Sequence, residues 1–262
     1  MKQIQSLQNP LIKNILKLQE KSRERKKQQL FVIEGKREIE LAFKGQFEID
    51  SLLFIPHKIE YDYLKQYHAK EVIEITPEVY KKIAYRESTE GIIAIAKSKY
   101  IDLNSLIFKN IKPLILVVEG IEKPGNIGAM IRSADAANID AIILADPKTD
   151  QYNPNVIRSS VGGVFTKNIV ISSSEEIIAF FKKNNIKMYA ATLQNSNLYT
   201  NQNYTEASAI IVGTEANGLT QIWRDHSTKN INIPMQGEID SMNVSVAAAV
   251  ILFEAKRQRN FK

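Results

Sequence analysis

Six short apolar runs follow one another between residues 114 and 235, and segments with helical character separate them. The runs read LILVVEGI, AIILAD, NIVIS, KMYAATL, SAIIVG and INIPM. Their near-continuous apolar character is typical of parallel strands that helices cover on both faces of a sheet. In open sheets of this kind, ligands bind beyond the carboxyl ends of the strands. The residues that directly follow each run are therefore the first candidates for function.

The first 97 residues are predicted to form a smaller α/β unit. Asn9 and Pro10 are a typical helix start, and the strand LFVIEG is expected after the basic run KSRERKKQQ. Further helices are expected in REIELAFKG and after Thr76 and Pro77, and further strands in IDSLLFI and GIIAIAK. The polar, irregular segment 98–112 is predicted to be a linker, followed by a second domain at 113–262.

The composition excludes several kinds of site. The chain has no cysteine, which removes disulfides, thiolate metal sites and cysteine nucleophiles. Its histidines, His57, His68 and His226, do not have the spacing of metal ligands, so no metal is expected. No stretch approaches the roughly 20 apolar residues that span a bilayer, and lysines interrupt every apolar run near the start. These features predict a cytoplasmic protein that does not enter a membrane.

The segment EKPGNIGAMIRSADAANIDAIILAD, residues 122–146, reads as a loop, a helix and a strand. Asp146 ends that strand, where a ribose-binding carboxylate would lie in a dinucleotide-binding fold. The glycine fingerprint of that fold is incomplete, because the loop has only Gly125 and Gly128. Asn126 could simply cap the helix, and Arg132 could be a solvated side chain on its surface. Taken alone, the segment leaves cofactor binding and a purely structural role open.

Two later segments have the same position relative to their strands. IIVGTEANGLT, residues 210–220, is a strand that leads into a loop with Glu215. INIPMQGEIDSMNVSVAAAV, residues 231–250, is a short strand, a loop with Ser241 and Asn243, and an alanine-rich helix. Separately, Glu215 could be an exposed carboxylate and Ser241 a helix cap. Together, the three strand-to-loop transitions favour one site at the carboxyl edge of the sheet.

NIGAMIRSA, GTEANGL and IPMQGEIDSMNVSVAAAV resemble, in this order, motifs 1, 2 and 3 of the SpoU/TrmH-type RNA 2′-O-ribose methyltransferases. VIRSSVGGVF, residues 156–165, resembles the segment that this family carries between its first two motifs. More loosely, RKKQQLFVIEGKREIELA and STEGIIAIA resemble the L30e-like substrate-binding domain that is found ahead of this catalytic domain. The resemblance leaves the subfamily open, and with it the RNA position that is modified.

The resemblance implies an α/β protein, in which a trefoil-knotted methyltransferase domain of the SPOUT type follows a smaller α/β domain. It also implies S-adenosylmethionine as cofactor, a homodimer with the active site near the subunit interface, and methyl transfer to a ribose 2′-hydroxyl, with ribosomal RNA as the expected substrate. By position, the cofactor contacts would come from Leu193, Gly213, Ile233, Met235 and Met242. The residues implied in catalysis are Asn126, Arg132, Glu215, Ser241 and Asn243.

Positive charge is concentrated at the start of the chain. The net charge is +6, and residues 1–37 alone hold ten lysines and arginines against three glutamates, a net charge of +7. A solvated helix face is one interpretation. Beside a methyltransferase domain we favour phosphate binding, which needs charge but no sequence readout. The predicted RNA-binding side chains are Arg23, Arg25, Lys26, Lys27, Lys36 and Arg37.

Two other functions stay open at this point. A Rossmann-type nucleotide-dependent oxidoreductase would bind a nicotinamide cofactor and would make no contact with RNA. A non-catalytic RNA-binding protein of the same fold would have lost methyl transfer, although the three motifs are intact.

Overall fold

The computed structural model describes residues 2–85 and 90–262, and the chain forms two compact units. The first unit comprises Met1–Lys99 and Asp150–Thr166, and the second comprises Tyr100–Thr149 and Lys167–Lys262. Ser88 and Thr89, which begin the STEGIIAIA stretch, lie outside the described residues. None of the described helices has the length and apolar character needed to span a membrane.

Within the described residues, the strands of the first unit are β1 (Lys2–Ile4), β2 (Leu30–Glu34), β3 (Ile49–Phe54), β4 (Glu71–Ile75) and β5 (Ile92–Lys97). They form a mixed sheet in the order β1-β4-β3-β5-β2, in which β5 is antiparallel to both of its neighbours. The helices are α1 (Pro10–Glu20), α2 (Ser22–Gln28), α3 (Lys36–Lys44), α4 (Tyr61–Leu64) and α5 (Pro77–Ile83). A further helix, α7 (Pro154–Ser159), comes from the second stretch of this unit.

The predicted helix starts of this unit are confirmed. Asn9 accepts a hydrogen bond from the backbone N–H of Leu11 at 2.9 Å, and Pro10 is the first residue of α1. Thr76 caps α5 in the same way, ahead of Pro77. The apolar face of α1 is buried in the core of the unit, and its buried residues are Ile12, Ile15 and Leu18.

Residues 150–166 belong to the first unit, although the predicted boundary placed them in the second domain. The reason is an aromatic cluster that these residues complete. Phe31 of β2 stacks on Tyr152 with ring centroids 4.2 Å apart, and Phe47 meets Phe165 edge to face at 5.2 Å. All four rings are buried, so this stretch is part of the core of the first unit.

The second unit contains a seven-stranded sheet in which every pair of neighbouring strands is parallel. Its strands are β6 (Leu114–Glu119), β7 (Ala141–Ala145), β8 (Ile169–Ser172), β9 (Lys187–Ala191), β10 (Asn197–Leu198), β11 (Ser208–Val212) and β12 (Lys229–Asn232). Their order is β10-β12-β9-β11-β6-β7-β8. Its helices are α6 (Pro124–Ala136), α8 (Ser174–Lys183), α9 (Gln221–His226) and α10 (Val244–Gln258).

Helices cover both faces of this sheet, as the apolar runs predict. Ile115 and Val117 of β6 belong to the cluster that contains Phe181 of α8 and Trp223 of α9. The alternate residues of β6 are also buried and point to the opposite face, where α10 packs on α6 and β11. At the start of α8, Ser173 and Glu176 form a capping box, in which each side chain accepts a hydrogen bond from the backbone N–H of the other residue. Ligand binding beyond the carboxyl ends of these strands is therefore possible in the fold as it stands.

Two local predictions differ from the structure. Residues 98–112 are not a free linker, because Leu103 and Leu106 are buried in the core of the second unit. The predicted strand INIPM is displaced, since β12 ends at Asn232. Ile233 and Met235 instead belong to the loop that follows β12, and they line a cavity.

Candidate active site

A cavity of about 500 Å³ lies at the carboxyl edge of the parallel sheet. The loops that follow β9, β11 and β12 line it, together with Ala247 and Ile251 of α10. Its volume is in the range of small-molecule binding sites. The three strands are neighbours in the sheet, which is why loops far apart in the sequence meet here.

The loop after β11 depends on two glycines. The backbones of Thr214 and Gly218 bond each other, with N–H to carbonyl distances of 3.1 and 3.0 Å. A Cβ atom on Gly213 would lie 2.3 Å from the carbonyl carbon of Gly218, so only glycine allows this close return. Gly218 itself has a φ of +64°, a conformation that favours glycine. The turn therefore projects Glu215 from its tip, where the side chain is exposed.

A buried carboxylate fixes the end of the same loop. Glu119, at the end of β6, is 5% exposed. It accepts hydrogen bonds from the hydroxyl of Thr220 and, at 2.9 Å, from the backbone N–H of that residue. Because Thr220 directly precedes α9, this contact holds the loop between two fixed ends.

Asn126 joins the three motifs. Its Nδ2 donates to Oε1 of Glu215, and its Oδ1 accepts from Nδ2 of Asn243 at 3.2 Å. Asn126 does not cap α6, because that helix begins at Pro124. Asn243 does cap α10, through an acceptor bond from the backbone N–H of Ser245 at 2.9 Å. The side chains from motifs 1, 2 and 3 therefore form one hydrogen-bonded chain.

The structure brings most of the predicted site residues together. Glu215 and Ser241 line the cavity, and Asn126 and Asn243 bond to each other beside Glu215. Ser241 is not a helix cap, since Asn243 has that position. All predicted cofactor residues line the cavity: Leu193, Gly213, Ile233, Met235 and Met242.

Arg132 is the exception. It is an exposed residue of α6, about 9 Å further along the helix axis than Asn126. It is not among the described residues that line the cavity of its own chain. Within the described part of the chain it forms no hydrogen bond or ion pair.

Asp146 has a structural contact and does not line the cavity. One oxygen of its carboxylate accepts from the backbone N–H of Ser174 at 3.0 Å and from the hydroxyl of that residue at 2.6 Å. The indole N–H of the buried Trp223 donates to the same hydroxyl at 3.0 Å. This carboxylate thus holds the start of α8, which removes the main support for a dinucleotide site.

The prediction that Arg25 binds RNA is wrong. It is 2% exposed, and its Nε and Nη2 donate to the two carboxylate oxygens of Asp150 at 3.1 and 2.6 Å. Nη1 donates to the backbone carbonyls of Leu18 and Gln19. A guanidinium that is buried and bonded in this way is not available to a phosphate. The other predicted side chains are exposed: Arg23, Lys26, Lys27, Lys36 and Arg37.

Two charged residues of the cavity were not predicted from the sequence. Asp240 lies in the loop before α10, and Arg224 lies on α9. The available signal for Arg224 was its position on the short helix that directly follows the GTEANGL loop. In the described residues, no group of three or more histidines and carboxylates could hold a metal ion.

Comparison with known proteins agrees with this geometry. The model of the SpoU rRNA methylase family matches residues 113–253. The chain belongs to the SpoU rRNA methylase family. Ahead of the SpoU rRNA methylase domain, residues 9–94 match the MRM3-like substrate-binding domain, which confirms a smaller substrate-binding domain at the start of the chain.

Relatives in the SpoU rRNA methylase family match almost the whole chain. The 23S rRNA (guanosine(2553)-2′-O)-methyltransferase RlmP of Bacillus subtilis is 29% identical over 261 residues, which are 98% of this chain and 100% of that protein. A crystal structure of an RNA 2′-O ribose methyltransferase is 38% identical with a TM-score of 0.84, over 98% of this chain and 99% of the other. The AdoMet-bound rRNA methyltransferase of Sinorhizobium meliloti is 27% identical with a TM-score of 0.90, over 98% and 97%.

Proposed function

We propose that the chain transfers a methyl group from S-adenosylmethionine to a ribose 2′-hydroxyl of ribosomal RNA. The observation that carries this proposal is the convergence of the three motifs on one cavity. All five predicted cofactor residues line that cavity, and Asn126 joins motifs 1, 2 and 3 at its edge. Membership of the SpoU rRNA methylase family and the AdoMet-bound relative support the choice of cofactor and substrate.

The cavity suits S-adenosylmethionine in size and chemistry. The side chains of Leu193, Ile233, Met235 and Met242 offer apolar surface for an adenine ring, and the turn at Gly213 brings backbone N–H and carbonyl groups close to the ligand space. Glu215 and Asp240 supply negative charge. When bound, the cofactor would supply a methyl group on a positively charged sulfur.

The protein mainly has to align the hydroxyl with that methyl group. Fixed alignment of reactants contributes about 7–11 kcal/mol to the lowering of a barrier. Asn126, in the first turn of α6, holds the loops of motifs 2 and 3 through its bonds to Glu215 and Asn243. This chain of hydrogen bonds keeps the cavity edge in one arrangement before the RNA arrives.

Arg132 is not a general base, because a guanidinium stays protonated. Its role is to bind RNA through its positive charge. When it lies on the phosphate next to the target ribose, the positive charge of Arg132 would favour release of the hydroxyl proton to water as the methyl group leaves the sulfur. Arg132 is exposed and lies outside the cavity of its own chain. That position supports a homodimer, in which Arg132 of one subunit serves the cavity of the other.

The surface of α10 is compatible with such a homodimer. Val246 and Phe253 are 51% and 42% exposed, and they lie on the same side of the helix because they are two turns apart. An apolar strip on a helix surface is typical of a contact between subunits. The trefoil knot and the cytoplasmic location stay predictions.

Binding of RNA is assigned to the exposed basic residues of the first unit: Arg23, Lys26, Lys27, Lys36 and Arg37. They lie on α2 and at the start of α3. Salt-dependent phosphate contacts would give this surface affinity without selecting a sequence. Selection of the nucleotide would then depend on the RNA structure around the site.

Isothermal titration calorimetry tests the cofactor. We expect the full-length protein to bind S-adenosylmethionine, or its demethylated product S-adenosylhomocysteine, in the micromolar range and not to bind NAD. The reverse preference would end the methyltransferase proposal in favour of a nucleotide-dependent oxidoreductase.

The RNA substrate can be found in cells. In a strain that lacks the gene, one ribose 2′-O-methyl group should be missing from ribosomal RNA, and mapping of 2′-O-methylation across all RNAs would locate it. An unchanged methylation map would contradict the proposal.

A further inference from the structure

Arg224 is the positive charge of the cavity. Of the described residues that line the cavity, only Arg224 is a lysine or arginine, whereas Glu215 and Asp240 are negatively charged. It is half-buried on α9, close to the end of the motif 2 loop. A cation at this place favours a ligand that carries a negative group.

Its neighbours fix the orientation of the guanidinium. Nε and Nη2 of Arg224 donate to Oε1 of Gln221 at 3.3 and 2.7 Å. Nε2 of Gln221 in turn donates to Oδ1 of Asp225 at 2.5 Å. Nη1 of Arg224 donates to the backbone carbonyl of Leu219. A side chain that is already ordered loses less conformational freedom when it binds a ligand.

The guanidinium still has donors to offer. It carries five N–H groups, and these contacts use three of them. One N–H group is left on each of the two Nη nitrogens. Neither of these two N–H groups has a hydrogen-bond partner in the described part of the chain. Two N–H groups on neighbouring nitrogens match the two oxygens of a carboxylate.

We infer that Arg224 binds the carboxylate of the methionine part of the cofactor. The inference rests on the proposed function, because it takes S-adenosylmethionine as the ligand. That part of the ligand carries one carboxylate, one ammonium group and the sulfonium. Arg224 repels the two positive groups, which leaves them to Glu215 and Asp240.

The contact gives the cavity a means of selecting its ligand. Many cellular compounds contain adenosine, and apolar surface for adenine accepts all of them. A forked contact with an amino-acid carboxylate excludes those that lack this group. Arg224 is thus a determinant of specificity for the methionine part of the cofactor.

The test compares two thioethers of adenosine in the full-length protein by calorimetry without RNA. S-adenosylhomocysteine has the amino-acid carboxylate, and 5′-methylthioadenosine lacks it. We expect Arg224→Gln to weaken binding of S-adenosylhomocysteine by about 10- to 100-fold, which is the effect of one charge-assisted contact. Binding of 5′-methylthioadenosine should change by less than about twofold. Arg224→Lys, which retains the charge but not the fork, should have an intermediate effect.

Lys183→Gln is the matched control. Lys183 is an exposed lysine of α8 in the second unit and does not line the cavity. It should leave the affinities for both ligands unchanged. Equal weakening of both ligands by Arg224→Gln would show that Arg224 only supports the loop through Leu219, and would overturn the inference.

An unchanged affinity for S-adenosylhomocysteine would also overturn the inference and would leave Arg224 to another partner, such as an RNA phosphate. Failure of the unmodified protein to bind either thioether would overturn the proposed function together with this inference. The two failures are thus distinguishable in one series of titrations.

Discussion

Arg23 and Arg25 show how strongly the surroundings decide the role of a residue. They lie on the same short helix, but Arg23 is exposed whereas Arg25 is buried against Asp150. Asp150 also accepts from the backbone N–H of Tyr152 at 3.1 Å, so the ion pair holds residues 150–166 to α2. We therefore assign Arg23 to RNA binding and Arg25 to the stability of the first unit.

Arg25→Ala should lower the free energy of unfolding by about 3–5 kcal/mol, because it leaves the carboxylate of Asp150 buried without its partner. Arg23→Ala removes the same charge from an exposed position and should change stability by less than about 0.5 kcal/mol. Urea denaturation of both variants measures this difference. Similar stability of the two variants would mean that the Arg25–Asp150 pair contributes little to the fold.

Arg132 is a second arginine whose role is assigned from its exposed position. Arg132→Lys should retain the fold and the affinity for S-adenosylhomocysteine, but lose methyl transfer by about tenfold or more, because lysine lacks the planar fork that binds a phosphate. Lys183→Arg, which exchanges the same two side chains at an exposed position of α8, is the control and should transfer methyl groups at the normal rate. Normal turnover of Arg132→Lys in steady-state assays would make Arg132 an ordinary surface residue.

Among the elements of the site, the loop after β11 is fixed at both ends. Glu119 holds one end through Thr220, and the close return at Gly213 holds the other. Glu215 is consequently presented in a fixed position to Asn126. A change in this return should therefore displace Glu215 and alter the cavity.

Gly213→Ala should lower the free energy of unfolding by about 1–3 kcal/mol and weaken cofactor binding, because the new Cβ would overlap the backbone of Gly218. Gly237→Ala is the matched control. A Cβ on Gly237 meets no atom within 4 Å, and this variant should behave like the unmodified protein. Thermal unfolding with and without S-adenosylhomocysteine compares them, and equal behaviour of both variants would show that the loop tolerates displacement.

Elements whose signals are local could be predicted from the sequence. Asn9 with Pro10 and Thr76 with Pro77 each act within one helical turn, and both helix starts were found where expected. The burial of Arg25 could not be predicted, because its partner Asp150 is 125 residues away. Ile233 and Met235 were predicted to be in a strand because they are apolar. They line the cavity instead, and the loops that complete this cavity are distant in the sequence.

Short strands were also missed. β1 and β4 pair with each other at one side of the sheet of the first unit, and neither has a strong pattern of its own. Their pairing is a property of the assembled sheet. In the site, the motifs identified Asn126, Glu215 and Asn243. The hydrogen bonds between these residues could not be predicted, because the fold has to bring three distant segments together first.

For the whole molecule, the proposed division of work is RNA affinity in the first unit and cofactor binding in the second. Removal of the charges of Arg23, Lys26 and Lys27 by substitution with glutamine should weaken RNA binding and flatten its dependence on salt, since each lost phosphate contact reduces the slope by about 0.7–0.9. The affinity for S-adenosylhomocysteine should not change. Arg25 is left unaltered, because its loss would destabilise the unit.

A second triple variant controls for total charge. Lys183, Lys187 and Lys229 are exposed lysines of the second unit, and their substitution with glutamine removes the same number of charges. Filter binding across salt concentrations should show a much smaller effect for this variant. Equal losses in the two triple variants would mean that RNA affinity follows the overall charge and not the surface of α2.

The central proposal is methyl transfer to a ribose oxygen, and the position of the methyl group tests it most directly. Full-length protein would be incubated with radiolabelled S-adenosylmethionine and unmodified ribosomal RNA, and the product would be hydrolysed with alkali. Alkali cleaves RNA only where the 2′-hydroxyl is free, so we expect the label in resistant dinucleotides, and label that is lower by about tenfold or more after the same reaction with Arg132→Lys at short times. Label in mononucleotides would place the methyl group on a base, and no label in any RNA fraction would favour a non-catalytic RNA-binding protein; either result would contradict the proposal.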